Sequence, residues 1–173
     1  MDFELLDDIT KISESFISQF VMSWECFQIK QKDWIDKMDK AGYPIDNRWY
    51  NQAYMWDRMD PKFPRVTMQV AMAFLRKHQG NVMFMTEKGE KPYFQGKKSI
   101  DYVAKVDAVW LADRIEQEWY ASYDLSSGHS ESTSSVLPDD LYVFDSSMTW
   151  CVVFTHEATS EEAESRYCII CQI

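Results

Sequence analysis

The chain has 173 residues, of which 46% are hydrophobic and 15% aromatic, and its formal net charge is −10. This length is typical of one domain, and the apolar content is enough for a core, which excludes a globally disordered chain. The charge is uneven, because residues 111–173 contain two basic and twelve acidic side chains, whereas residues 61–110 contain nine basic and four acidic ones. Such an acidic C-terminal third repels phosphate backbones and attracts basic proteins. Basic and aromatic residues interleave at 88–98, but the surrounding negative charge disfavours nucleic acid as a ligand.

The N-terminal residues argue against secretion and against membrane insertion. The segment MDFELLDDITK begins with acidic residues and lacks the basic and apolar regions of a signal peptide. No stretch approaches the roughly 18 apolar residues that span a bilayer. We therefore expect a cytoplasmic protein that does not bind membranes and whose four cysteines are reduced. These are Cys26, Cys151, Cys168 and Cys171.

Apolar residues at helical spacing predict that the first 80 residues are mainly helical. Steps of three or four residues predict one long helix over residues 3–30, and a second is expected over residues 33–42, where Gly42 stops it. A short helix is expected near residues 47–58, and another over residues 66–78. A further helix is predicted later in the chain, over residues 99–123.

Short apolar runs bounded by turn residues predict strands in the second half of the chain. The run NVMFMTE at residues 81–87 is one, and LYVF, WCVVFT and RYCIICQI at residues 141–144, 150–155 and 166–173 are three more. Three successive strands at this spacing predict an antiparallel meander. The whole chain is therefore predicted to be a single α+β domain over residues 1–173, with long N-terminal helices packed on a small antiparallel sheet formed mainly by the C-terminal meander. The helical part would cover about residues 1–80 and the sheet-forming part about residues 81–173.

The segment TWCVVFTHE, residues 149–157, contains the strongest candidate for acid–base chemistry. His156 lies where an apolar run meets a loop, a common place for catalytic residues, and Glu157 follows it directly. Asp145 on the adjoining hairpin is a second carboxylate that could assist. A strand must also end in polar residues, and neighbouring side chains alternate between its faces, so the same pattern fits a plain strand end. His156, Glu157 and Asp145 are therefore catalytic candidates in a chain that fits a non-enzyme better.

Other motifs that carry chemistry are weak in this sequence. It has no Gly-x-Ser-x-Gly elbow and no glycine-rich phosphate loop. Cys168 and Cys171 have the Cys-x-x-Cys spacing of half a zinc site. In a strand, however, residues three apart face opposite sides of the sheet, so both thiols reach one metal only if a bulge intervenes. We predict no metal site and no cofactor.

The stretch LPDDLYVFDSSMTWCVVFTHE, which closes with RYC, resembles a pattern in small uncharacterised bacterial proteins. In these proteins an Asp in a turn precedes a Trp-led strand that ends in Thr-His-Glu, and the resemblance covers residues 137–168. Proteins of this kind are small and acidic, lack enzyme motifs, and are often suspected of being immunity or accessory proteins. The resemblance therefore implies an immunity-type protein without catalytic residues.

We expect an acidic interaction module of the immunity or antitoxin type, which binds and blocks a basic toxin or nuclease. A nuclease site built to hold phosphates attracts carboxylates that mimic them. The expected partner-binding residues are Asp139, Asp140, Glu157, Glu161, Glu162 and Glu164. Two alternatives remain: a small hydrolase-like enzyme centred on His156, and a non-catalytic structural accessory protein of a mobile element, which would associate only with itself as a homo-oligomer.

Overall fold

A computed structural model describes residues 3–43, 54–87, 100–126, 136–158 and 166–173. The described residues form seven strands, four α-helices and one 3₁₀ turn. The elements in chain order are β1 (Glu4–Leu5), α1 (Ile9–Phe20), α2 (Trp24–Lys40), the 3₁₀ turn (Met55–Arg58), β2 (Arg65–Val66), α3 (Met68–Leu75), β3 (Asn81–Glu87), β4 (Ile100–Asp107), α4 (Ala108–Ser126), β5 (Leu141–Phe144), β6 (Trp150–Ala158) and β7 (Arg166–Gln172). The protein is of the α+β class, as predicted.

All seven strands belong to one antiparallel sheet with the order β1-β4-β3-β5-β6-β7-β2. The predicted C-terminal meander is confirmed, because β5, β6 and β7 are successive neighbours. The strand predicted at residues 81–87 is confirmed as β3 and pairs with β5 on one side and β4 on the other. The two-residue strands β1 and β2 come from the part of the chain predicted to be helical, and they lie at the two edges of the sheet.

Helical segments cover both faces of the sheet and divide the core into two layers. The layer beneath α3 and α4, which we call the first layer, includes Leu75, Phe84, Leu111, Val143, Val152, Phe154 and Cys168. The layer beneath α1 and the 3₁₀ turn, the second layer, includes Phe16, Phe20, Met55, Tyr142, Phe144, Val153 and Cys171. Alternate residues of each central strand enter opposite layers, so these strands are apolar at almost every position.

The predicted helix over residues 3–30 is wrong, because the chain forms β1, α1 and a separate α2. Val21 between the two helices is extended (φ −106°, ψ 137°) and forms an isolated bridge with Met59. Ser23 Oγ then accepts a hydrogen bond from the Cys26 backbone N–H at 3.2 Å and caps α2. Both helices bury apolar residues at helical spacing. This spacing continues through the break at Val21, so the sequence pattern does not show where α1 ends and α2 begins.

The predicted helix over residues 33–42 is the second half of α2, and its start was therefore wrong. The predicted stop is confirmed, because α2 ends at Lys40 and Gly42 follows with φ +83°. This left-handed conformation suits glycine, and the Gly42 N–H donates to the Asp39 carbonyl at 3.0 Å. Only the end of the helix expected near residues 47–58 is described, where it is the 3₁₀ turn.

The predicted helix over residues 99–123 is wrong in its first part, because residues 100–107 form β4, which pairs with the whole of β3. The helix α4 begins only after Asp107, whose Oδ1 accepts hydrogen bonds from the N–H groups of Val109 and Trp110, both at 3.0 Å. A short apolar run fits strand and helix spacing equally well, and strand pairing decides between them here. The helix predicted over residues 66–78 is likewise shorter.

We predict that Phe16→Ala lowers the free energy of unfolding by about 3–5 kcal/mol. The Phe16 side chain is fully buried, and its ring lies 5.0 Å from the rings of Phe20 and Phe144, so the change leaves a cavity in the second layer. Urea denaturation measures the loss. The exposed Val70 is the control, since Val70→Ala should change stability by less than about 0.5 kcal/mol. Equal effects of the two substitutions would contradict the assignment of Phe16 to the core.

Candidate functional site

Four chain segments meet at one end of the sheet and, together with Tyr54 from a fifth, line a pocket of about 460 Å³. They are the end of β3, the start of β4, the residues before β5 and the end of β6, which the antiparallel order brings side by side. The lining residues are Tyr54, Thr86, Glu87, Asp101, Tyr102, Pro138, Asp139, Asp140 and His156. The ends of sheet strands are common positions for binding residues.

A bulge in β6 shapes the pocket side of the sheet. Phe154 pairs with Cys168 and Ala158 pairs with Arg166, so residues 155–157 of β6 all lie opposite Tyr167. Thr155 stabilises the bulge, because its hydroxyl donates to the Tyr167 carbonyl at 2.7 Å and accepts from the Glu157 N–H at 3.2 Å. A bulge interrupts the alternation of side chains and redirects the residues within it.

The bulge places His156 against Asp140. The His156 Nδ1 lies 3.0 Å from both carboxylate oxygens of Asp140, and the His156 backbone N–H donates to Asp140 Oδ1 at 2.7 Å. An ionised carboxylate only accepts hydrogen bonds, so the Nδ1 atom beside it is the donor, and a ring that carries one proton has Nε2 as its acceptor. The Asp140 side chain is 11% exposed and that of His156 is 36% exposed. The carboxylate is therefore largely covered, while the imidazole stays partly open to solvent.

Aromatic residues at the start of the 3₁₀ turn pack on the other side of His156. The Tyr54 ring contacts the imidazole edge to face at 4.8 Å, and the Trp56 ring lies 6.0 Å away in a similar orientation. Tyr54 and Trp56 stack on each other with ring centroids 5.5 Å apart. These two side chains thus pack against the imidazole from one side, and Asp140 contacts it from another.

A buried hydrogen-bond cluster anchors the 3₁₀ turn beneath the pocket. Glu87 Oε1 accepts from the Met55 N–H at 2.5 Å and from the Tyr142 hydroxyl. The Tyr142 oxygen accepts in turn from the Trp56 N–H at 3.0 Å. Complete burial raises the pKa of Tyr142 well above its ordinary range, so this hydroxyl keeps its proton and remains a donor to Glu87.

Arg166 ties the bulge to the segment before β5 without entering the pocket. Its Nε donates to the Thr155 carbonyl and one of its terminal nitrogens donates to the Asp139 carbonyl, both at 2.6 Å. The guanidinium is buried, and it lies 4.1 Å over the ring of Trp119. These bonds fix the backbone on which Asp139 and Asp140 are carried.

The structure brings only some of the sequence-predicted residues together. Asp139 and Asp140 line the pocket with His156, while Glu157 is exposed beside it and does not contribute to the lining. Asp145 lies at the other end of the β5–β6 hairpin, where its Oδ1 accepts from the Thr149 N–H at 3.2 Å. It therefore does not assist His156, and the carboxylate that contacts the imidazole is Asp140. The other predicted contact residues, Glu161, Glu162 and Glu164, lie outside the described residues.

Sequence reasoning missed the other six lining residues, among them Tyr54, Glu87 and Asp101, which come from distant segments. Glu87 had a usable signal, because it ends an apolar run in the same way that His156 does. Tyr54 and Asp101 had none, since the first precedes the 3₁₀ turn and the second lies in a segment predicted to be helical.

The Cys-x-x-Cys pair does not form a metal site. Cys168 belongs to the first layer and Cys171 to the second, so the thiols lie on opposite faces of the sheet, as strand alternation predicted. Burial raises the pKa of the Cys168 thiol to about 12. In the described ranges, no three His, Cys, Asp or Glu side chains are grouped so that they could hold a metal ion.

Comparison with protein-family models, with curated proteins and with solved structures finds no match to this chain. Within the described residues, none of the helices has the length and apolar character needed to cross a membrane. The function must therefore be argued from the pocket itself.

We predict that the neutral imidazole of His156 is the Nδ1–H tautomer and that Asp140→Ala removes this preference, because it removes the carboxylate acceptor. The ¹⁵N chemical shifts of the ring nitrogens report the tautomer directly. Asp139→Ala is the matched control, since Asp139 is the neighbouring carboxylate and its side chain does not contact the ring. An Nε2–H tautomer in the wild type, or an unchanged spectrum in Asp140→Ala, would disprove the assigned geometry.

Proposed function

We propose that the protein is an interaction module that binds a basic protein at the acidic end of its sheet. Of the proteins that act in this way, we favour an immunity- or antitoxin-type inhibitor that blocks a basic toxin or nuclease. The observation that carries the proposal is the composition of the pocket. Its lining includes four carboxylates and, among the described residues, no lysine or arginine.

The four carboxylates divide into a bonded pair and an exposed pair. Asp140 and Glu87 are buried and hydrogen-bonded, Asp140 to His156 and Glu87 to Tyr142. Asp101 and Asp139 are exposed, and neither forms an ion pair with another described residue. Like charges around one pocket repel each other, and a cation placed between them relieves the repulsion. Asp101 and Asp139 are therefore the groups that a basic partner would meet first.

The aromatic lining suits an arginine side chain from such a partner. Tyr54 and Tyr102 are partly buried in the pocket wall, one near His156 and the other beside Asp101. A guanidinium group binds carboxylates through its planar donors and also stacks on aromatic rings. Arginine and tyrosine are enriched among the residues that contribute most to protein–protein affinity.

The charge distribution supports the same kind of partner over longer distances. The C-terminal third, with two basic and twelve acidic side chains, supplies Asp139, Asp140 and Glu157. A negative field around the pocket accelerates the association of a basic protein and weakens as the salt concentration rises. A nuclease toxin has a basic surface to hold phosphates, and carboxylates can occupy the same positions.

We predict that the double variant Asp101→Asn/Asp139→Asn binds a nona-arginine peptide about tenfold more weakly than the wild type, a loss that corresponds to about 1.4 kcal/mol. Both side chains are exposed, so the isosteric change leaves the fold intact, which circular dichroism checks. Calorimetric titration at low and high salt gives the affinity, and the variant should also show the weaker salt dependence.

The matched control for this prediction is Glu25→Gln/Asp36→Asn, which removes the same charge from exposed positions on α2. It should leave the affinity within about twofold, since long-range attraction is screened at physiological salt. Equal losses in both double variants would show that net charge, and not the pocket, binds the peptide. An unchanged affinity in Asp101→Asn/Asp139→Asn would reject the pocket as the binding surface.

The same variants identify the natural partner. Immobilised wild-type protein is incubated with lysate of the source organism at low salt, and the retained proteins are identified by mass spectrometry. A basic protein that is retained by the wild type and by Glu25→Gln/Asp36→Asn, but not by Asp101→Asn/Asp139→Asn, fits the proposal. Retention of the same proteins by all three would count against it.

A small enzyme centred on His156 is the second candidate, and the contact with Asp140 is the observation that favours it. A carboxylate that holds Nδ1 orients the imidazole so that Nε2 can accept a proton. The pocket offers Thr86 as its one hydroxyl-bearing aliphatic side chain among the described residues. His156→Gln separates the candidates, because it removes the acid–base group and leaves Asp101 and Asp139 in place. Undiminished peptide binding by this variant supports the interaction module.

A further inference from the structure

Two cysteines face each other across the strand pair β6–β7. Cys151 on β6 and Cys171 on β7 are directly opposite in the register, and both are fully buried. Both belong to the second layer of the core, so their side chains lie on the same face of the sheet. Cys168, which shares the Cys-x-x-Cys spacing with Cys171, faces the other layer.

The backbone separation at this position is within the range of a disulfide. The Ile173 N–H donates to the Thr149 carbonyl at 3.0 Å, and hydrogen-bonded pairs recur at every second position of an antiparallel ladder. Cys151 and Cys171, two residues further along, therefore form a pair of the same kind, in which the Cα atoms lie about 5.5 Å apart. That separation falls within the range of about 4.4–6.8 Å seen in disulfides. The Cβ atoms of such a pair are about 5.5 Å apart and must approach to about 4.5 Å for the S–S bond to form. Burial, together with the neighbouring Cys171 thiol, raises the pKa of Cys151 well above its ordinary range.

We propose that Cys151 and Cys171 are a modification site, at which a low-molecular-weight disulfide such as oxidised glutathione converts the two thiols to an intramolecular disulfide. The inference is independent of the proposed function, because it depends only on the register of β6 and β7.

The reaction consists of two exchanges that balance. The Cys171 thiolate attacks one sulfur of oxidised glutathione, the reagent's S–S bond breaks, and one glutathione leaves as the thiol after taking up a proton. The Cys151 thiolate then attacks the Cys171 sulfur of the mixed disulfide, and the second glutathione leaves in the same way. The two cysteines lose two protons and two electrons, and the reagent gains them.

Burial makes the reaction slow and sets its route. A buried thiol in apolar surroundings is a poor nucleophile, so the first exchange requires that β7 open. The outer neighbour of β7 is β2, a strand of two residues, Arg65 and Val66. An opening of β7 exposes Cys171, and its closure brings the mixed disulfide back opposite Cys151. We therefore expect the rate to rise at urea concentrations below the unfolding transition.

The disulfide would close a loop of about 20 residues that contains the bulge at residues 155–157. It would raise the urea midpoint, because the cross-link restricts the unfolded chain. It would also slow hydrogen exchange of the β7 amides, since β7 could no longer separate from β6.

The experiment uses the full chain with Cys26→Ser, which removes the exposed thiol on α2 that would otherwise link two molecules. The folded protein is incubated with oxidised glutathione, quenched with acid, alkylated and mapped as peptides without reduction. The expected product is a linked pair of peptides that contain Cys151 and Cys171, lighter by two hydrogens, with an unchanged circular dichroism spectrum and a higher urea midpoint. Cys168→Ser in the same background is the matched control and should give the same link.

Cys151 and Cys171 are both unchanged in this experiment. The result therefore does not depend on whether a substitution at either buried position would still fold. The proposal is overturned if the folded protein gives no link while the urea-unfolded protein links under the same reagent. A link to Cys168, or glutathione adducts without an intramolecular link, would overturn it equally.

Discussion

The candidate site depends on one local interaction, the hydrogen bonding of Thr155 within the bulge of β6. Val152 and Phe154 enter the first layer of the core, so a regular strand would turn residue 156 to that same face. The bulge instead leaves His156 in contact with Tyr54 and with Asp140. The buried Thr155 hydroxyl serves as donor and acceptor at once, and this is why a polar side chain is found at a fully buried position.

The burial of the sheet on both faces explains why polar chemistry is confined to its end. Helices α3 and α4 cover one face, and α1 with the 3₁₀ turn covers the other. The central strands therefore have no solvent-exposed face on which a site could form. The pocket forms where β3 and β6 leave this core and β4 and β5 enter it. The two core layers account for much of the high aromatic and methionine content. A sheet with one solvent-exposed face would have only one such layer.

The parts of the fold that can be predicted from the sequence are those marked by a pattern within a short stretch of residues. The meander strands were visible because their apolar runs are short and bounded by turn residues, and the end of α2 was visible at Gly42. The break at Val21 and the strand β4 were not visible, because each is decided by a partner distant in the chain: Met59 pairs with Val21, and β3 pairs with β4. The same limit applies to the site, where His156 was identified from its position and Asp140 as a contact residue, yet the bond between them follows from the bulge.

Nuclear Overhauser spectroscopy tests directly whether Thr155 positions His156 in the pocket. With ring centroids 4.8 Å apart, the wild-type protein should show cross-peaks between the His156 and Tyr54 ring protons. Thr155→Val keeps the shape of the side chain but removes both hydrogen bonds of the hydroxyl, so these cross-peaks should be lost while the sheet remains folded. Cross-peaks that persist in Thr155→Val, or that are absent from the wild type, would contradict the account.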